Sequence, residues 1–167
     1  MPVERLWTPW RLAYVTEASI VTPACIFCDA LAHLDTEPLV VHRGQSAVVR
    51  LNKYPYNNGH LMVVPHRHVG WLADMAEADL AEFMVLTQQA EKALAAVYHP
   101  HGFNMGLNLG KPAGAGVLDH LHLHVVPRWN GDTNFMSVVG ETRVLPEELP
   151  QTAARLRAAF KAIAQPA

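Results

Sequence analysis

Asp119-His120-Leu121-His122-Leu123-His124-Val125-Val126-Pro127 decides how the chain is read. Polar and apolar residues alternate strictly from His120 to Val125, which predicts a strand over 120–126 with one face buried. A side-chain period of two puts His120, His122 and His124 on one face at about 7 Å intervals, and Leu121, Leu123 and Val125 on the core face. Three half-buried imidazoles each need a hydrogen-bonding partner, so the row calls for a ligand or a metal rather than mere filling. Just upstream, the small residues Ala113, Gly114, Ala115 and Gly116 free the backbone to bring N–H groups close to an anion.

Working outward, the valine-rich segment from Leu39 to Leu51 turns at Gly44 and predicts a hairpin; Asn52 to Gly59 is a polar loop. His60 to Pro65 and Phe103 to Leu109 read as two more strands, and Gly110 to Gly116 as a loop. Between them, Leu80, Phe83, Met84, Ala90, Leu94 and Val97 recur at helical spacing over Asp74–Tyr98, with Pro100 as the stop. A second helix is expected over 147–165, after Pro146. Strands, one long helix and more strands predict an α+β domain with a mostly antiparallel sheet and the helix on one face. The 167 residues suit one domain, with residues 1–24 as an N-terminal arm carrying Trp7 and Trp10. Trp7, Trp10 and Trp71 are expected in packing or subunit contacts. Tyr54 and Tyr56 would either line a ligand pocket or cap the sheet.

Half the residues are hydrophobic and 17% are charged, as in an ordinary globular protein. A net charge of -2 gives no long-range pull on a polyanion, which argues against nucleic acid or an acidic membrane as partner and favours a small ligand. No apolar run approaches the roughly 20 residues of a membrane helix. Glu4, Arg5 and Pro9 interrupt any signal-peptide core, so a cytoplasmic location is expected. There the two cysteines, Cys25 and Cys28, would stay reduced; their CxxC spacing supplies half of a tetrahedral metal site, or else a pair of half-buried thiols.

His120 to Val126 resembles the signature of the histidine-triad superfamily, three histidines alternating with apolar residues and followed by one more apolar residue. The resemblance extends over Asn52 to Pro65, Asn104 to Gly110 and Pro127-Arg128-Trp129, and is closest to bacterial diadenosine tetraphosphate phosphorylases and hydrolases. It implies a nucleotide substrate, a homodimer and no organic cofactor. It further implies that His122 attacks a nucleotide α-phosphate and carries the nucleotidyl group, the acceptor being water or phosphate. A neutral imidazole is suited to that work near neutral pH. By the same resemblance His124 would bond the transferred phosphate or leaving oxygen, His120 would orient the row, and His60 is a further active-site histidine. Asn52 would bind ribose hydroxyls, while Asn108 and Gly114, Ala115 and Gly116 would hold phosphate oxygens. Asp119 resembles the phosphorylase-like members and would tune the choice of acceptor. Val117 departs from the pattern, standing where many relatives carry a Ser or Thr that reaches the leaving oxygen. In bacterial members with an N-terminal CxxC, zinc is completed by two histidines that correspond to His68 and His120, with His66 a near competitor. A structural zinc on Cys25, Cys28, His68 and His120 is therefore expected, and a magnesium ion accompanying the nucleotide is allowed.

Other readings stay open at this level. They are a phosphoramidase releasing AMP from an amine, a zinc-stabilised nucleotide-binding protein without turnover, and a metallohydrolase with the three histidines around a catalytic zinc.

Overall fold

A computed structural model describes residues 25–132 and 146–164. The N-terminal arm, with Trp7 and Trp10, and Leu145 lie outside them. Five strands, β1 Val40–Arg43, β2 Ala47–Leu51, β3 Leu61–Pro65, β4 Gly102–Leu107 and β5 Leu123–Arg128, form one antiparallel sheet in the order β1-β2-β3-β5-β4. Among the described residues three α-helices accompany it: α1 Ile26–Ala32, α2 Glu77–Tyr98 and α3 Leu149–Ala164.

The alternation of the strands divides the sheet into two faces. Ala47, Val49, Leu51, Leu61, Val63, Leu123 and Val125 point under α2 and α3 and pack with Phe83, Leu86, Leu94, Leu156 and Phe160. The opposite face carries Val48, Met62 and Val64, and Phe27 of α1 covers them in a second, smaller cluster. Met62 is paired with His124, so the histidine row shares this second face.

The predicted hairpin at Gly44 is present, with Gly44 N–H bonded to Ala47 O at 2.8 Å. A Cβ on Gly44 would lie 2.6 Å from Glu82 Oε1 and 2.9 Å from Leu86 Cδ1, so any larger residue would have to displace these side chains of α2. The Glu82 carboxylate in turn accepts from Gln45 N–H at 2.7 Å, Ser46 N–H at 2.6 Å and the Ser46 hydroxyl. Burial works against the charged form, but these bonds and the nearby His66 hold Glu82 below its ordinary value of 4.5. A carboxylate with a depressed folded pKa adds stability above its unfolded pKa, and that stability is lost as pH falls through the folded one. Glu82→Gln is accordingly expected to cost about 1–2 kcal/mol at neutral pH. It should also flatten the acid limb of a urea-denaturation series; an unchanged acid limb would show that the turn is not held by the charge.

Some boundaries differ from the sequence reading. The triad strand begins at Leu123 rather than His120, because β3 ends at Pro65 and Leu121 N–H bonds instead to Val69 O, at 2.7 Å, in the following loop. Leu72–Asp74 is a 3-10 turn, so the long helix starts later than Asp74. It ends at Tyr98, as the spacing predicts, with His99 left-handed at φ 46 immediately before Pro100. Helix α1, which starts directly after Cys25 and contains Cys28, was not expected.

Candidate active site and metal centre

His120 and His60 are fully buried and His122 nearly so, while His124 is partly exposed. The backbone carbonyl of His120 lies 2.9 Å from His122 Nδ1. A carbonyl can only accept, so Nδ1 carries the proton and Nε2 keeps its lone pair. Burial lowers the pKa of His122, against the opposing effect of that hydrogen bond, and so keeps the imidazole neutral. Its ring packs 4.9 Å from Phe27 and 5.0 Å from His124, centre to centre.

A second chain of bonds sets His124. Tyr56 N–H donates to His60 Nδ1 at 3.0 Å, with Asn52 Nδ2 3.4 Å from the same atom. His60 must then carry its proton on Nε2, which lies 2.9 Å from His124 Nδ1. His124 in its neutral form is left with the proton on Nε2. The two neighbouring rings thus offer opposite capacities, a lone pair on His122 and an N–H on His124.

The loop that delivers Tyr56 N–H is clamped to the end of β5. Asn57 Nδ2 donates to Pro127 O at 3.1 Å and to Asp132 Oδ2 at 2.8 Å. Arg128 grips the same carboxylate through Nε at 2.6 Å and Nη2 at 2.8 Å. Asn57 and Asp132 were not singled out in the sequence; the turn formers Asn57-Asn58-Gly59 and Gly131-Asp132 were the available signal.

Around His120 a different chemistry assembles. One ligand atom each from Cys25, Cys28, His68 and His120 lies within 4.8 Å of all the others. Cys25 Sγ is 3.3 Å and Cys28 Sγ 3.5 Å from His120 Nδ1, and Cys28 Sγ is 3.1 Å from His68 Nδ1. A tetrahedron with zinc bonds of ~2.0–2.3 Å has edges of about 3.3–3.8 Å, so the donor set and spacing fit that ion. His120 Nε2 donates to Pro65 O at 2.8 Å, which frees Nδ1 for the sulfurs. Burial, then the hydrogen bond and charge of Cys25, raise the pKa of the Cys28 thiol. Two adjacent thiolates need a cation between them. His66 is not in this group; its N–H takes Ser46 O and its Nε2 is buried without a partner. The three triad imidazoles, for their part, do not converge on a common point: His120 turns to the cysteines, His122 to a carbonyl and His124 to His60.

The remaining expected residues are spread around this centre. Asn52 lies half-buried beside His60, its Oδ1 accepting from Tyr54 N–H at 3.0 Å. Asn108 follows β4 and is half-buried; Asp119 is exposed, against Gly70. The loop forms a 3-10 turn over Lys111–Ala113, with Gly110 at φ 78 and Gly114 at φ 87. In this conformation the N–H groups of Ala113, Gly114 and Ala115 bond to Gly110 and Lys111 carbonyls, leaving Gly116 at the end of the turn. Trp71 packs on Gly110. Tyr56 packs over His60 and His124, whereas Tyr54 is 64% exposed.

Comparison with known proteins agrees with this geometry. A family model, HIT domain, matches residues 35–131. The chain is 46% identical over 157 residues to AP-4-A phosphorylase of Mycobacterium tuberculosis, spanning 90% of this chain and 80% of that one. It is 30% identical over 121 residues to an HIT-like protein of Mycoplasma genitalium, covering 72% and 84% of the two chains. Among solved structures, a zinc-bound histidine triad family protein from Mycobacterium smegmatis matches with a TM-score of 0.69 at 27% identity, over 84% of this chain and 96% of that one. A histidine triad nucleotide-binding protein from Sulfolobus tokodaii gives 0.68 at 25% identity, over 83% and 93%. With its triad, its five-stranded antiparallel sheet and these relatives, the chain belongs to the HIT domain family.

Proposed function

We propose that this protein transfers a nucleotidyl group from a dinucleoside polyphosphate, of the diadenosine tetraphosphate kind, to water or phosphate through an intermediate on His122. The observation that carries the reading is the His120 carbonyl on His122 Nδ1, which leaves Nε2 as the nucleophile beside the His124 N–H. Nε2 attacks the α-phosphorus, the bond to the leaving polyphosphate breaks, and His124 donates to the departing oxygen. The acceptor then attacks phosphorus from the vacated side and the P–N bond breaks, returning His122 to its starting form. Asn52, Asn108, Gly114, Ala115, Gly116 and Asp119 are assigned to substrate contacts, the loop residues after reorganisation of their N–H groups around phosphate. The 46% identity to a protein named for phosphorolysis of the tetraphosphate supports the substrate class.

Product analysis with diadenosine tetraphosphate, with and without inorganic phosphate, tests this. ADP and ATP formed only with phosphate identify a phosphorylase, and AMP with ATP a hydrolase. No cleavage in either buffer overturns the reading and directs attention to amine-linked nucleotides.

Asp132 enters as a positioning residue. Asp132→Ala is expected to lower kcat about tenfold with little change in KM, because the loop aiming Tyr56 N–H at His60 loses its anchor. A change in KM alone would assign Asp132 to substrate binding instead.

Cys25, Cys28, His68 and His120 are assigned a structural zinc, which would hold the two cysteines as thiolates and tie α1 to the triad. Magnesium, if present, would arrive with the polyphosphate. We assign the whole chain, 1–167, to one domain working as a cytoplasmic homodimer; no helix of the described residues is long and apolar enough to cross a membrane. The outer edge of β4, where Asn104, Met105 and Gly106 are exposed, is available to a second copy.

A further inference from the structure

We propose that Trp71 and Lys111 form a subsite for the leaving half of the dinucleoside polyphosphate, the indole stacking on its base and the ammonium pairing with its outer phosphates; this rests on the assignment of His122 as nucleophile. Register places the subsite. β4 and β5 pair Gly106 with His124 and Leu107 with Leu123, so Asn108, the next residue of the chain, comes level with His122 one strand spacing away, about 5 Å. Gly110 lies two residues further on, about 7 Å. Asn52 follows β2, on the opposite side of β5 from β4. A nucleotide held between Asn52 and His122 therefore sends its leaving half over the end of β4.

Trp71 stands at that end. Its segment runs beside the approach to the triad: Val69 O accepts from Leu121 N–H at 2.7 Å, and a Cβ on Gly70 would lie 3.1 Å from Leu118 O and 3.3 Å from Asp119 Cα. From there the indole reaches Gly110, where an added Cβ would lie 3.5 Å from Cη2. That contact uses only the edge of the six-membered ring. Trp71 remains 54% exposed, whereas its neighbours Val69 and Leu72 pack against the core. Tryptophan is on average a highly buried residue, so an indole left open beside the loop assigned to phosphate calls for a flat partner.

Lys111 follows Gly110 and opens the 3-10 turn of Lys111–Ala113. It is exposed, and among the described residues its ammonium has no acidic partner. A lysine beside an open indole matches the leaving half in both its parts, anionic phosphates and an aromatic base. Stacking holds a base by its π face rather than by its hydrogen-bonding edge. The subsite thus separates dinucleoside from mononucleoside polyphosphates without choosing among the bases of the leaving half.

The test is calorimetric binding of two ligands to full-length His122→Asn, which does not turn them over: diadenosine tetraphosphate, and adenosine 5′-tetraphosphate, which keeps the phosphates and lacks the second nucleoside. Adding Trp71→Ala should weaken the dinucleoside about tenfold and the mononucleoside less than about twofold, and Trp71→Tyr should restore most of the loss. Lys111→Met should weaken both ligands about threefold, an effect that fades as salt is raised. In the chain that keeps His122, Trp71→Ala should raise KM for diadenosine tetraphosphate by a similar factor. Unchanged affinities in Trp71→Ala, or equal losses for the two ligands, overturn the stacking role. So does a Trp71→Ala protein that falls from dimer to monomer on a sizing column, since a second copy of the chain then covers the indole. Unchanged binding by Lys111→Met overturns the phosphate pairing. A wild type that neither binds nor cleaves diadenosine tetraphosphate overturns the nucleotidyl-transfer reading as well.

Discussion

His122→Asn is expected to bind nucleotide and to lose at least about 10⁴-fold in turnover. Asparagine can still donate from its side-chain amide toward the His120 carbonyl, so the local backbone keeps its partner. What it lacks is the second nitrogen with a lone pair, and no neighbour replaces it: His124 carries its proton on the side facing away from His60, and His120 is turned to the cysteines. The two-step path is therefore closed. A smaller loss, of about 10²–10⁴-fold, is expected for His124→Ala, which removes only help to the leaving oxygen. The check is turnover of diadenosine tetraphosphate together with trapping of label from the α-phosphate on the protein. Wild type should retain label on a histidine and His122→Asn should not; turnover by the variant at the wild-type rate would sink the mechanism.

The second large effect is on stability. Chelation of the metal, or Cys25→Ala, is expected to lower the melting temperature by about 10 °C. An ion present at ~1,000 times its dissociation constant stabilises the folded state by about 4 kcal/mol, and each kcal/mol moves a domain of this size by roughly 2–4 °C. Purified protein should contain one zinc per chain, and Cys25→Ala less. Below its melting temperature the variant should keep most of its turnover, since no step of the proposed reaction passes through the ion. Complete loss of turnover on chelation, with the fold intact by circular dichroism, would instead favour a catalytic metal.

Much of this architecture was legible because strands of period two and a long amphipathic helix write their geometry into residue spacing. The five strands, α2 and the shared face of the histidines follow from that rule. Helix α1 was hidden for the opposite reason. It is seven residues long, too short for a periodic signal, and its existence depends on Phe27 packing against Val48, Met62 and Val64. The choice of His68 over His66 was carried by resemblance and could not come from spacing, since both lie just past Pro65. The contact of Asp132 with the active-site loop was invisible because its partner, Asn57, lies far along the chain.

His120 belongs to both centres, its ring between the cysteines and Pro65 and its carbonyl on His122. A strand of alternating character is vulnerable to slippage, because a shift of one residue exchanges its two faces. Such a shift here would present Leu121, Leu123 and Val125 to the substrate and drive the imidazoles into the core beneath α2. The ring of His120, fixed at one end by a carbonyl and at the other by the cysteine pair, acts as a register pin that makes the slipped alignment unattainable.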